Sequence, residues 1–184
     1  MSEYTIRGYQ PKDRADVEAV CTGCADEMWQ RPEMKEGLLT VFCHYYIEKE
    51  PANCFVAEKD GKVLGYILCA ENFEQWEKTF RAEYVERSEN MVVKYLADGT
   101  IGPLRPFAAE YPAHLHIDIS PVLQGKCAGT GLMKMLEAHL AKNNVPGLCL
   151  CVAKDNVRAR RFYEKLGFSE LGHDEAQFTL GKRL

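Results

Sequence analysis

The chain has no surplus of positive charge. Its 23 Lys and Arg face 27 Asp and Glu, for a net charge of −4. A protein that grips nucleic acid without regard to sequence needs a basic face, so this balance argues against that class. Long apolar runs are also missing. None approaches the roughly 20 residues that a membrane-spanning helix requires. The opening Met1-Ser2-Glu3-Tyr4-Thr5-Ile6-Arg7 lacks the apolar core of a secretory leader. The expectation is therefore a cytoplasmic protein that binds neither nucleic acid nor membrane. There is no internal repeat and no low-complexity tract, which argues against solenoids and disordered linkers.

Cysteine is plentiful, with eight residues. Cys21-Thr22-Gly23-Cys24 could be read as a metal or redox pair. No second pair of that spacing and no neighbouring His completes a zinc site. Cys43, Cys54, Cys69, Cys149 and Cys151 fall in apolar helix or strand patterns. The expectation is free thiols in a reducing compartment and no metal.

A length of 184 residues suits one domain with a sizeable core. Tyr4 to Tyr9 alternates like a strand. Pro11-Lys12-Asp13 opens a helix with apolar residues at Ala15, Val17, Val20, Cys21 and Cys24. A second helix is predicted over Glu36 to Glu48. The runs Cys54–Glu58 and Lys62–Ala70 are joined by Asp60-Gly61, a two-residue hairpin signal.

Residues 71–112 break the pattern. Phe73 to Glu86 looks helical, followed by Met91 to Leu96 and a Gly/Pro-rich stretch from Gly99 to Pro106. So long an excursion suggests a functional insert. Ala113 to Ile119 is a strand, Gly129 to Asn143 a helix, Pro146 to Val152 a strand and Asn156 to Leu166 a helix. Phe168 to Leu171 and Gln177 to Leu180 close the sheet. The fold class is α/β (α+β): one domain with a mixed central sheet flanked by helices.

Two segments carry chemistry. In the first, the strand His116-Ile117-Asp118-Ile119 runs through Ser120-Pro121 into Gln124-Gly125-Lys126-Cys127-Ala128-Gly129-Thr130-Gly131. Small residues there let a ligand approach backbone N–H groups at the positive end of a helix, a site for phosphate oxygens. In the second, Asn156-Val157-Arg158-Ala159-Arg160-Arg161-Phe162-Tyr163 places an amide and a phenol on the next helix. A plain strand-to-helix loop, a helix cap at Asn156 and a core aromatic at Tyr163 are the simpler readings of each part.

Together the segments resemble the GNAT superfamily of acyl-CoA-dependent N-acyltransferases. Its phosphate loop reads Gln/Arg-x-x-Gly/Ala-x-Gly/Ala, and Gln124 to Gly129 occupy it. Cys127 stands where the family has Gly, which the loop tolerates if that position does not need positive φ. Asn156 and Tyr163 match the second motif, Asn-x-x-Ala-x-x-Phe-Tyr-x-x-x-Gly-Phe. His114-Leu115-His116-Ile117-Asp118 after Tyr111-Pro112, behind a long insert, is similar to bacterial relatives of the acetyltransferase-like domain of O-GlcNAc hydrolase.

The resemblance implies acetyl-CoA as co-substrate and an amine as acceptor, in a monomer or homodimer. It implies that strands 117–119 and 148–152 splay apart. Pantetheine would lie on Ile117 and Ile119, and the pyrophosphate on Gln124, Gly125, Lys126, Cys127, Ala128, Gly129 and Thr130. Asn156 would contact the cofactor, and Tyr163 would be the acid that protonates the departing thiolate.

An alkylamine with a pKa near 10.4 is only about a thousandth nucleophilic at neutral pH, so a base is needed. His114, His116 and Asp118 alternate on one strand face and are the candidates, unless a bulge breaks the alternation. Trp76, Phe80, Tyr84, Tyr95 and Phe107 are candidates for an acceptor wall or for core. Arg158, Arg160 and Arg161 could meet a 3′-phosphate. Two readings remain open: an N-acetyltransferase, or a catalytically inactive acyl-CoA-binding domain that senses or docks.

Overall fold

A computed structural model describes residues 4–184. Seven strands form one mixed sheet in the order β1-β2-β3-β4-β5-β7-β6. They are β1 Thr5–Gly8, β2 Phe55–Lys59, β3 Lys62–Ala70, β4 Ala113–Ile119, β5 Gly147–Ala153, β6 Ser169–His173 and β7 Gln177–Arg183. Every pairing is antiparallel except β4 with β5. The hairpin between β2 and β3 turns on Asp60 and Gly61, both at positive φ, as a tight turn of the expected kind demands.

Helices cover both faces. α1 Arg14–Cys24, α2 Pro32–Leu39, α3 Tyr45–Lys49, α4 Phe73–Phe80 and α5 Met91–Leu104 pack on one side; α6 Ala128–Lys142 and α7 Val157–Lys165 pack on the other. The second helix begins earlier than its apolar spacing suggests, because Pro32 sits in its first turn, where a missing N–H does no harm. A π-helical segment, Thr40–His44, links α2 to α3. It carries Phe42, whose ring stacks on His116 at 4.9 Å.

The stretch 71–112 is not a lobe beside the sheet. Phe73, Trp76, Phe80, Val85, Val93, Ala97, Ile101 and Leu104 are buried in the core of the first face. Trp76 and Phe80 are therefore core residues rather than an acceptor wall, because their helical spacing points them at the sheet. Tyr84 donates to Glu48 at 2.7 Å, and Tyr95 is exposed. Phe107 lines a small separate cavity against Gly172, His173 and Thr179.

α5 also continues through Gly99, Gly102 and Pro103, part of the stretch that the sequence marked as Gly/Pro-rich. Pro103 has no N–H to give to the Gly99 carbonyl one turn earlier. The Gln177 side chain donates to that carbonyl instead, at 2.8 Å. A tertiary hydrogen bond thus repairs the break. No helix among the described residues is long and apolar enough to cross a membrane.

Candidate active site: a cleft between splayed strands

β4 and β5 pair only at Ala113 with Leu148 and at His114 with Cys149. Beyond that point β5 stays with β7 and β4 stays with β3, so the two parallel strands diverge. A cavity of about 500 Å³ opens there. Ile117, Asp118 and Ile119 form one wall, and the 124–130 loop closes one end. Asn156, Arg158, Phe162 and Tyr163 form the opposite wall. Of the seven residues from Gln124 to Thr130 that the resemblance assigns to the pyrophosphate, Lys126 alone is absent from this lining. Its carbonyl accepts a hydrogen bond from Tyr4 Oη at 3.0 Å, which ties the loop to the start of the chain.

The loop ends in an open helix N-terminus. Its N-cap residue, Cys127, makes no side-chain hydrogen bond to the first turn of α6. The first-turn amides of Ala128, Gly129 and Thr130 have no intrahelical acceptor by geometry. Gly131 is the first amide of the turn to find a backbone carbonyl, that of Cys127, at 3.0 Å. Three neighbouring donors and the helix dipole therefore point into the cleft, the arrangement that suits a pyrophosphate. Gly129 has a packing reason as well, since a Cβ there would meet the Phe162 ring at 3.2 Å.

Cys127 is held at φ 62, ψ 13, the left-handed conformation. The condition under which the loop would take a cysteine without strain, no positive φ, is thus not met. An L-residue there is strained by about 1–2 kcal/mol. Glycine would relieve that, less its larger loss of freedom on folding. Cys127→Gly is expected to gain about 0.5–1 kcal/mol net, which raises Tm by roughly 1–4 °C in a domain of this size. An unchanged or lower Tm by calorimetry would show that the loop does not strain Cys127.

Gln124 and Arg158 bridge the mouth of the cleft. Gln124 Nε2 donates to the Ile119 carbonyl at 3.2 Å, and Arg158 donates to Gln124 Oε1 at 2.8 Å. Arg158 is the arginine of the three that faces the cleft. Arg160 is engaged with Glu164 and Glu170 and lies 4.0 Å over the Phe178 ring. Asn156 caps α7 by accepting from the Ala159 amide at 3.0 Å and lines the cleft as well.

The chemistry-bearing side chains meet at the inner wall. Tyr163 is buried against Phe162 and Phe168 at ring distances of 5.3 and 5.7 Å. Burial, with the nearby Asp118 charge, pushes its phenol above the ordinary value of 10, so it stays protonated at neutral pH. β4 shows no register shift against β3, so no bulge interrupts that pairing and the alternation holds. His114, His116 and Asp118 do share a face, but at different depths.

Asp118 lines the cleft. Burial raises its carboxyl, opposed by the charge on His116 and a hydrogen bond from Tyr66. His116 lies behind it, with Nδ1 3.8 Å from Asp118 Oδ2, and burial lowers its pKa. His114 is deeper still, 2% exposed and packed 4.2 Å from Trp76, away from the cleft lining.

Three residues of this wall were not singled out as site candidates in the sequence. Tyr66 of β3 sits opposite Asp118 in the register and donates to its Oδ2 at 2.5 Å. Cys21 lies within 4.8 Å of the His116 and Asp118 polar atoms, and Cys24 lines the cleft. Only the strand pairing brings Tyr66 to Asp118. The spacing of Cys21 and Cys24 was visible, but it says nothing about what they face.

The acetyltransferase (GNAT) family profile matches residues 15–168, and the chain belongs to that family of acyl-transferring proteins. Protein O-GlcNAcase of Rattus norvegicus is 25% identical over 198 residues, covering 94% of this chain and 21% of that protein. The chain thus spans about a fifth of the length of this curated relative. Among solved structures, SsHAT is 28% identical with a TM-score of 0.86 over 98% of both chains. The PaiA N-acetyltransferase of Thermoplasma acidophilum, in complex with coenzyme A, is 19% identical with a TM-score of 0.64, covering 98% of this chain and 99% of that one. It shares the fold.

Proposed function

We propose that the chain is an acetyl-CoA-dependent N-acetyltransferase that moves the acetyl group directly to an amine of a small molecule or protein. One observation carries this reading: Asp118 and Tyr163 line one cleft, with the Asp118 charge felt at the Tyr163 phenol, and the open N-terminus of α6 borders the same cleft. A carboxylate to take a proton and a phenol to give one thus border the same space.

The residues fit the co-substrate. The amides of Ala128, Gly129 and Thr130, with Gly125 and Cys127 shaping the turn, would hold the pyrophosphate. Gln124, Arg158 and Asn156 border the same end. The backbone of Ile117 and Ile119, free of β5, would pair with the pantetheine arm as an added strand does. Acetyl-CoA supplies an activated thioester.

Asp118 would take the proton of the incoming ammonium, and its burial-raised carboxyl is better matched to that task than an exposed one. As the C–N bond forms and the C–S bond breaks, Tyr163 would give its proton to the sulfur, and the second proton that the new amide nitrogen sheds would restore the phenol, while Asp118 would return its proton to solvent. His116 would support Asp118 from behind. His114, enclosed by aromatic rings, takes no part in the transfer.

The strained Cys127 favours a second reading, an acyl-CoA-binding domain without turnover. One pair of measurements separates the two. Calorimetry with coenzyme A, and thiol release from acetyl-CoA over small alkylamines and lysine-bearing peptides, are expected to show both binding and release. Binding without release on any amine supports the second reading. No binding overturns both.

A further inference from the structure

We infer that Tyr66 is a positioning residue of the acyl-transfer site: its phenol joins His116 to Asp118 and holds the carboxylate toward the cleft. This rests on the assignment of Asp118 as base. Tyr66 is fully buried and never reaches the cleft, so it acts only through its neighbours.

The argument is one of counting protons. Tyr66 Oη lies 2.5 Å from Asp118 Oδ2 and 3.0 Å from His116 Nδ1. A phenol has a single proton, and the shorter contact to an ionisable carboxylate claims it. His116 Nδ1 must then be the donor to the phenol oxygen, or two lone pairs would face each other. The neutral ring is fixed as the Nδ1–H tautomer, the minor form of free histidine. The chain runs in one direction, from His116 Nδ1–H to Tyr66 Oη–H to Asp118 Oδ2. Phe42, stacked on the imidazole at 4.9 Å, holds the ring plane.

This arrangement commits one carboxylate oxygen to Tyr66 and leaves the other for the acceptor amine. It also tunes the carboxyl. The groups facing Asp118 are Cys21 and Cys24 from α1, Tyr66 from β3, His116 from β4 and Tyr163 from α7. Burial pushes both thiols up to about 12, so neither adds charge at neutral pH. Of these, His116 when protonated, and the Tyr66 hydrogen bond in either state of that ring, oppose the rise that burial imposes on Asp118. Removing the phenol should raise that carboxyl further.

Nitrogen-15 spectra of the wild-type imidazoles test the first claim without any variant or turnover. The expected result is a neutral His116 protonated on Nδ1; a neutral ring protonated on Nε2 overturns the inference. Tyr66→Phe tests the second. It is expected to shift the tautomer toward Nε2–H, to move the acidic limb of kcat/KM up by at least about half a pH unit, and to leave coenzyme A affinity within about twofold. A Tyr66→Phe protein that only melts earlier, with an unmoved limb and tautomer, would show a structural role and sink the proposal. If the wild-type protein releases no thiol with any amine, the enzyme reading has failed, and the tautomer measurement decides Tyr66 by itself.

Discussion

Tyr163→Phe is expected to keep coenzyme A affinity within a few-fold and to lower kcat by about 100-fold, or about 2.7 kcal/mol of barrier. The substitution removes one oxygen and keeps the ring, so the packing against Phe162 and Phe168 survives. What goes is the proton that a departing thiolate would receive. A thiol has a pKa near 8.5, and a buried phenol held above 10 is a weaker acid than the group it serves. The transfer stays uphill even to a full thiolate and is least so late, when the C–S bond is largely broken and the sulfur carries charge. The loss should therefore fall on kcat rather than on KM for acetyl-CoA. The measurement is steady-state thiol release with an acceptor found in the amine panel, beside calorimetry of coenzyme A binding. A variant with wild-type kcat removes Tyr163 from the proton path.

The parts legible in the sequence are those written in local periodicity and composition. β4, the small-residue turn, α6, β5 and α7 follow from strand alternation, an apolar stripe and the Asn156 cap. What stayed hidden depends on partners distant in the chain. The Tyr66–Asp118 contact exists because Gly65 pairs with Ile119, a register no local pattern encodes. The aromatics of α4 have a helical spacing that marks a buried face but not which body buries it, so core and binding wall both stayed open. The passage of α5 through Pro103 is helped by Gln177, 78 residues from the carbonyl it satisfies. Cys127 shows a different gap. A cysteine carries no signal for left-handed backbone; only the family's preference for Gly at that place hinted at it, and the structure supplies the reason.

His114→Leu is expected to stabilise the protein, and by more as the pH falls. Both ring nitrogens of His114 and the indole nitrogen of Trp76 are buried without a hydrogen-bond partner among the described residues. Tyr46, Phe73 and Trp76 enclose the imidazole at ring distances of 5.8, 6.0 and 4.2 Å. A buried polar group left unpaired costs about 1–3 kcal/mol. Leucine fills similar space without that cost, and for a domain of this size each kcal/mol is worth roughly 2–4 °C in Tm.

Burial alone lowers the ring's pKa from 6.5 to about 3. The folded protein therefore refuses a proton that the unfolded chain accepts. The stability that the neutral ring allows is intact above pH 6.5. It is lost as the pH falls toward about 3, at up to about 1.4 kcal/mol per unit. Other groups add their own acid dependence, among them the carboxyl of Asp13, which Arg7 holds below the usual range. The readout is therefore the difference between the two proteins rather than either curve alone. Thermal melts at pH 7 and pH 5 should show the variant ahead at both, with a gap about 2 kcal/mol wider at pH 5. Equal or lower stability at pH 7, with a gap that does not grow, would mean that water or a shifted ring satisfies His114 in solution.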